Sequence, residues 1–227
     1  MSGSAPRILT IGSSCINRFQ FDFYQERHTG TDTRFIKSFF DWNITSLIGT
    51  ETVLRLARDE ALEHVLRDPA LYHVEWDVLI FNRELPGVCF FHEQDVARRF
   101  SEPGQIDALI SKVVHQAAPF LPPDRSGRTH LVWSNIQPNL PDTVDNVTPW
   151  EDFQLTAERY ATIKALGTDV FGPDTRFSFL SLEEDMSPEL RSAPDVTAVD
   201  LPRGDAFKGP PDLYDALLTG IVSSSQS

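Results

Sequence analysis

Short apolar runs alternate along this chain with longer segments of helical period, and this alternation constrains the fold more than any other feature. The predicted strands cover residues 7–12, 74–81, 129–136, 176–182 and 196–201. The predicted helices cover residues 16–26, 47–68, 107–118, 153–167 and 212–222. Strands that alternate with helices are typical of a mostly parallel sheet with helices on both faces. The sequence therefore predicts a single α/β domain over residues 1–227, with disordered tails at 1–6 and 223–227.

The charge of the chain limits its partners. Its 227 residues include 33 Asp and Glu against 20 Lys and Arg, a formal net charge of −13. A surface this acidic repels phosphate backbones and anionic lipids, so we expect neither nucleic acid nor a membrane as partner. The two cysteines, Cys15 and Cys89, indicate a reducing compartment and no disulfide framework. Without an apolar leader or a run of about 18 apolar residues, the sequence predicts a soluble, cytoplasmic protein.

The turn Gly12-Ser13-Ser14-Cys15 joins the first predicted strand to the first predicted helix. Ligands of open α/β sheets gather at the carboxyl ends of the strands. A cysteine at a helix start lies among free N–H groups, which favour its thiolate and can hold the oxyanion of acyl transfer. Gly12 would allow the tight turn, and Ser13 and Ser14 would cap the helix or donate hydrogen bonds. A small buried Cys15 beside two ordinary caps explains the same residues, so both interpretations stay open.

A cysteine nucleophile needs a base, and His92 is the predicted one. It ends the apolar segment 88–92 and precedes the acidic stretch 93–95, which places it near the functional edge of the sheet. An imidazole within hydrogen-bond reach of the thiol would form the ion pair that cysteine catalysis uses. A structural role is the alternative for His92. The remaining histidines fall in predicted helices, ahead of predicted strands or in a loop: His28, His64, His73, His115 and His130.

Three blocks of the sequence carry a family resemblance: residues 8–15, residues 38–42 and His92. They resemble a bacterial family described as papain-like cysteine peptidases, which has a strand ending in Gly-x-x-Cys, a Ser-x-Pro-Phe-Asp-Trp type segment and a later histidine. The resemblance implies that Cys15 is the nucleophile, that His92 is the base, and that Asp41 with Trp42 shapes the site. It covers the first half of the chain, and Phe39 stands where the family usually has proline.

Two further polar residues have alternative roles. Asp41 would contribute to the site, or it would cap a helix that starts near Thr45 while Trp42 packs in the core. Asn135, at the end of the third predicted strand, would orient His92 as the third member of a Cys-His-Asn set. It would equally hold a turn before Pro138.

Other classes of protein explain parts of the same pattern. Gly12-Ser13-Ser14 resembles the first block of SGNH-type esterases, with Ser14 as nucleophile, but no histidine follows His130 to complete such a site. Capsule-biosynthesis acyltransferases have a similar Gly-x-Cys turn, which suggests acyl transfer from a coenzyme A thioester. A polysaccharide-pathway accessory protein without turnover would keep the same scaffold. A single glycine in the first turn excludes a dinucleotide fingerprint, and two distant cysteines predict no metal site.

The sequence thus predicts a cysteine-dependent hydrolase or acyltransferase acting on an ester, thioester or amide. Its substrate would be a small molecule, a peptide or a sugar, and no cofactor is expected other than coenzyme A as a possible acyl carrier. The catalytic set would be Cys15, His92, Asp41 and Asn135, with Gly12, Ser13, Ser14 and Trp42 binding substrate or oxyanion. The oligomeric state stays open.

Overall fold

The computed structural model describes residues 6–28, 34–123, 125, 127–137, 139–144, 147–201 and 211–223. The strands are β1 (Arg7–Thr10), β2 (Arg34–Phe35), β3 (Ile44–Thr45), β4 (Tyr72–Glu75), β5 (Leu79–Asn82), β6 (Val88–Cys89), β7 (Thr129–Ser134), β8 (Arg176–Leu182) and β9 (Val196–Val199). The helices are α1 (Ile16–Arg27), α2 (Leu47–Arg58), α3 (Leu62–Arg67), α4 (Gln94–Arg98), α5 (Gln105–Gln116), α6 (Leu140–Val144), α7 (Ala157–Phe171) and α8 (Pro211–Ser223). Short 3-10 helices cover Phe39–Asp41, Pro69–Leu71, Trp150–Phe153, Glu183–Asp185 and Pro188–Ser192.

A five-stranded sheet in the order β2-β1-β7-β8-β9 forms the centre of the fold. All four neighbouring strand pairs are parallel. Numbered by their own succession along the chain, these strands have the order 2-1-3-4-5, which is that of doubly wound folds such as flavodoxin. The direction of winding reverses between β1 and β7. In such sheets ligands bind at this switch point, outside the carboxyl ends of the two strands.

Helices cover both faces of the parallel sheet. Side chains of a strand alternate between its faces, so Ile8 and Val132 point to one side while Leu9 and Leu131 point to the other. On the first side they pack against α1 and α8, and on the second against α2 and α7. This arrangement confirms the predicted α/β fold with a parallel sheet between two helical layers. None of the described helices is both long and apolar enough to cross a lipid bilayer.

A second, antiparallel sheet in the order β3-β6-β5-β4 lies outside the sequence prediction. The predicted strand 74–81 is wrong: it is a hairpin in which β4 and β5 pair across a turn at Trp76 and Asp77. Both turn residues have positive φ, 49° and 58°, the conformation that tight hairpin turns require. The sheet also positions β3, whose Thr45 forms an antiparallel bridge with Ser13 in the turn after β1.

Other boundaries also differ from the prediction, among them those of α7, which was predicted over 153–167 and covers Ala157–Phe171. The predicted helix 47–68 is two helices, α2 and α3, because the chain turns at Glu60 with a φ of 58°. The predicted loop around residues 137–151 contains the short helix α6. Of the predicted disordered tails, Pro6 is buried and Ser223 ends α8, whereas residues 1–5 and 224–227 lie outside the described residues.

Candidate functional site

The turn from Gly12 to Cys15 lies at the carboxyl end of β1, at the switch point of the parallel sheet. Gly12 has a φ of 123°, and a Cβ there would lie 3.0 Å from Thr50 Oγ1 and 3.2 Å from the Thr45 carbonyl oxygen. Any side chain at this position would therefore be strained and crowded. The Gly12–Ser13 peptide bond is cis. The backbone conformation and the packing of Thr45 and Thr50 thus explain why the chain has glycine where β1 ends.

The two serines of the turn hold it in place through hydrogen bonds. The Ser13 hydroxyl donates to the Ser134 carbonyl oxygen at the end of β7, and the Ser13 carbonyl accepts from Thr45 N at 2.8 Å. The Ser14 hydroxyl donates to Gln137 Oε1 at 2.6 Å. An amide oxygen cannot act as a general base near neutral pH, so this partner does not activate Ser14 as a nucleophile.

Cys15 occupies the N-cap position of α1, and its side chain is 5% exposed. It belongs to none of the three apolar clusters that the described residues form, whereas Cys89 packs in one of them. Burial raises the pKa of the Cys15 thiol to about 11, although a hydrogen bond from its own backbone N–H acts in the opposite direction. At neutral pH the resting thiol is therefore protonated.

His92 follows β6, and its side chain is exposed. Its ring meets the edge of Trp42 with 5.9 Å between ring centroids, and Trp42 in turn meets Phe19 of α1 at 6.0 Å. Partial desolvation of the imidazole lowers the pKa of His92 more than the neighbouring Glu93 carboxylate raises it. No hydrogen bond or ion pair joins His92 to Cys15 in the described part of the chain. Ring contacts thus lead from His92 through Trp42 to Phe19 in the first turn of α1, four residues after Cys15.

Asp41 is fully buried and acts as a cap in the structure. Its carboxylate accepts from Thr10 Oγ1 at 2.7 Å and from Ser38 N at 2.8 Å, in a capping box with the Ser38 side chain. The cap belongs to the 3-10 helix Phe39–Asp41, while the helix after Thr45 is capped by Ser46. Burial raises the pKa of the Asp41 carboxyl despite these two hydrogen bonds. Asp41 therefore fixes the segment before Trp42 to the end of β1.

Asn135 follows β7 at the same edge of the sheet as Cys15. Its amide nitrogen donates to the Phe153 carbonyl oxygen at 3.0 Å, and its amide oxygen accepts from Leu182 N at 3.3 Å. Both ends of the buried amide are thus bonded to the backbone. In this arrangement the side chain ties β7 to β8 and the loop before α7, and it is not bonded to His92.

A buried polar network behind the turn escaped the sequence prediction. Asn17 donates to the Gly12 carbonyl oxygen and accepts from Ser134 Oγ at 2.7 Å and from Tyr214 OH at 2.8 Å. The Ser134 and Tyr214 hydroxyls lie 2.6 Å apart. Burial raises the pKa of the Tyr214 phenol, so it stays protonated as a donor. The network holds the turn in place through the Gly12 carbonyl oxygen. Tyr214 lies too far from the turn along the chain for a sequence motif to include both.

Three buried polar atoms near the turn have no hydrogen-bond partner among the described residues: Arg18 Nη1, Thr45 Oγ1 and Trp133 Nε1. Arg18 stands one helical turn after Cys15 and pairs with Asp22 through another nitrogen. The Trp133 ring lies 3.4 Å from where a Gly12 Cβ would stand. Buried donors without a partner are rare in folded proteins, and a functional role is one explanation for them. We therefore add Arg18 and Trp133 to the candidate site residues.

These features define a class: a doubly wound α/β domain with a cysteine at the N-terminus of the helix that follows its first strand. The turn, Asn135 and the Asn17 network meet at one edge of the sheet, and His92 approaches that edge only through aromatic contacts. Comparison of the chain with protein-family models, with curated proteins and with solved structures gave no match. The geometry of the chain itself is therefore the basis for inferring its function.

Proposed function

We propose that the chain is a cysteine-dependent acyl-transfer enzyme, a hydrolase or acyltransferase, with Cys15 as its nucleophile. One observation carries the proposal: Cys15 stands at the N-terminus of a 12-residue helix, at the switch point of the parallel sheet. Amide N–H groups at such a helix start stabilise a thiolate, and they also stabilise the oxyanion that forms on an attacked carbonyl. The position of Cys15 outside the apolar clusters supports a role other than packing.

The proposed base is His92, which takes the S–H proton of Cys15. The thiolate then adds to the carbonyl carbon of an ester, thioester or amide, and the helix N–H groups hold the oxyanion. As the carbonyl re-forms, the bond to the leaving group breaks, and the His92 imidazolium returns the proton to the departing alcohol, thiol or amine. Water, a sugar hydroxyl or an amine next attacks the acyl-thioester and gives its proton to His92, which restores the Cys15 thiol.

This mechanism requires the imidazole to move toward the thiol when substrate binds. The exposed His92 side chain makes no hydrogen bond to another described residue, so its rotation breaks no hydrogen bond there and disturbs the ring contacts with Trp42 and Phe91. Ring contacts of this kind contribute about 1 kcal/mol. The movement is therefore compatible with turnover.

A non-catalytic binding protein is the second candidate. The observation that favours it is the buried, neutral thiol of Cys15, which lacks a base within hydrogen-bond reach in the described residues. On this alternative, Cys15 is a packed, unreactive residue of the turn, and the unpaired donors of Arg18 and Trp133 bind a ligand without reacting with it.

Acylation of the intact chain distinguishes the two candidates. The protein is incubated separately with 4-nitrophenyl acetate and with acetyl-coenzyme A, and peptide mass spectrometry locates any acetyl group. We expect acetylation of Cys15, its loss in Cys15→Ala and a reduction of about a hundredfold or more in His92→Ala. Cys89→Ala removes the other buried thiol, and His64→Ala removes an exposed imidazole of α3, so both serve as matched controls that keep the reaction.

The opposite outcome is equally clear. If Cys15 remains unmodified by both donors while circular dichroism shows a folded protein, the catalytic proposal is overturned in favour of the binding protein. If His92→Ala leaves the acetylation of Cys15 unchanged, His92 is not the base, while the assignment of Cys15 as nucleophile stands. Faster reaction with acetyl-coenzyme A than with the ester would favour an acyltransferase over a hydrolase.

A further inference from the structure

A cavity opens at the amino ends of β7 and β8, the edge of the parallel sheet opposite Cys15. Its volume is about 580 Å³, and its lining includes His130, Lys164, Arg176, Ser178, Asp195 and Leu217. Cavities of about 300–1,000 Å³ hold small organic ligands. We call it the basal cavity. It shares no residue with the proposed acyl-transfer site, so the inference about this cavity does not rest on that function.

The floor of the basal cavity is polar but uncharged. His130 and Ser178 are both 8% exposed, and His130 Nε2 lies 2.9 Å from Ser178 Oγ. Burial, and to a smaller extent the nearby Arg176 guanidinium, lower the pKa of His130 to about 4. The imidazole is therefore neutral at physiological pH, and the pair offers hydrogen bonds to a ligand without adding charge.

The charged groups of the basal cavity sum to one positive charge. Lys164 Nζ donates to Asp195 Oδ2 at 2.6 Å and to Tyr160 OH at 2.9 Å, so its charge is compensated. Arg176 is exposed and forms no ion pair with any carboxylate of the described residues. An uncompensated guanidinium beside a cavity is notable in a chain whose net charge is −13. It marks the place where an anion would bind.

We infer that the basal cavity binds a small amphipathic monocarboxylate, with its carboxylate on Arg176 and its apolar part against Phe177, Leu217 and Ile221. A guanidinium binds a carboxylate through two parallel hydrogen bonds, which gives orientation as well as affinity. The single uncompensated charge matches a monoanion better than a phosphate dianion. The apolar wall excludes a purely polar anion as the preferred ligand.

Calorimetric titration of the full chain with 4-phenylbutyrate tests the inference, with 4-phenylbutan-1-ol as its uncharged analogue. We expect saturable binding of the carboxylate and binding of the alcohol at least about tenfold weaker, as one lost charged contact predicts. Arg176→Gln should weaken binding of the carboxylate by a similar factor. Arg191→Gln is the matched control, because Arg191 is also exposed but lies outside the basal cavity.

A second pair of variants tests the location of the binding site. Gly220 lines the basal cavity, and a Cβ added there would meet no atom within 4 Å. The phenyl ring of Gly220→Phe should therefore occupy the cavity and abolish binding, whereas Gly220→Ala should leave the binding affinity unchanged. Absence of saturable binding, equal affinity of the alcohol, or binding that survives both Arg176→Gln and Gly220→Phe would each overturn the inference. Circular dichroism and urea unfolding verify that every variant is folded.

Discussion

The rate at which iodoacetamide alkylates Cys15 measures how far the resting thiol is neutral. Burial raises the pKa of Cys15 from 9.0 to about 11. At about pH 8 this lowers the thiolate fraction about a hundredfold, from roughly one in ten to roughly one in a thousand. A thiolate of higher pKa is the stronger nucleophile. With a Brønsted coefficient of about 0.4–0.5, a pKa increase of two units raises the rate constant of the thiolate about tenfold. We therefore expect alkylation about tenfold slower than for an unperturbed cysteine.

The same chain unfolded in urea provides the matched reference, since its cysteines are solvated. Alkylation of the two cysteine peptides is followed by mass spectrometry between about pH 6 and about pH 9. The rate for Cys15 should rise about tenfold per pH unit over this range, because it follows the thiolate fraction. Cys89 should react more slowly still, since burial raises its pKa to about 12.

One result would refute this reasoning. Alkylation selective for Cys15 that is fast and independent of pH below about pH 7 would show a thiolate already present at rest. If His92→Ala then removed that reactivity, the ion pair would be preformed, and the proposed movement of His92 would be unnecessary.

Three further predictions concern the free energy of unfolding, measured by urea titration. Gly12→Ala should lower it by about 2–4 kcal/mol through backbone strain and the 3.0 Å contact of the new Cβ. Gly104→Ala, with a φ of 81° and nothing within 4 Å, should lower it by only about 1 kcal/mol; equal losses would show that crowding is unimportant. Tyr214→Phe should lower it by about 1–2 kcal/mol because two hydroxyl contacts are lost, whereas Tyr24→Phe should change it little. The pKa of His130 is depressed from 6.5 to about 4, so its contribution is fully present above 6.5 and is lost as pH falls toward 4. That contribution is about 3 kcal/mol, and His130→Gln should flatten the pH dependence in this window; an unchanged slope would contradict it.

Four of the five strands of the parallel sheet could be predicted from the sequence, and three of them, β1, β7 and β8, are buried along nearly their whole length. Their short apolar runs stand out from the amphipathic helices between them. The two-residue strand β2 was not predicted. The antiparallel sheet gave no comparable signal. Its strands β3 and β6 have two residues each, and the hairpin between β4 and β5 turns on Trp76 and Asp77 rather than on Asn-Gly. Tertiary packing determines such elements.

The site could be predicted only where it is local in sequence. The turn after β1 was visible because glycine, two small polar residues and cysteine follow a strand directly. The capping role of Asp41 was considered, but for the helix after Thr45, whereas the capping box that it forms with Ser38 belongs to the 3-10 helix Phe39–Asp41. The bond between Asn17 and Tyr214, which are 197 positions apart, was not readable. The distance from His92 to the thiol depends on how the two sheets pack, which no local pattern specifies.

Helix α8 connects the two edges of the parallel sheet. Near its start Tyr214 bonds to Ser134 and Asn17, beneath the Cys15 turn, and near its end Gly220 and Ile221 line the basal cavity. The helix therefore runs antiparallel to β7, with one polar anchor at the carboxyl edge and an apolar wall at the amino edge. A ligand that orders the last turns of α8 also restrains the helix that carries Tyr214. If both proposals hold, 4-phenylbutyrate should alter the acetylation rate of Cys15 in the wild-type chain but not in Gly220→Phe.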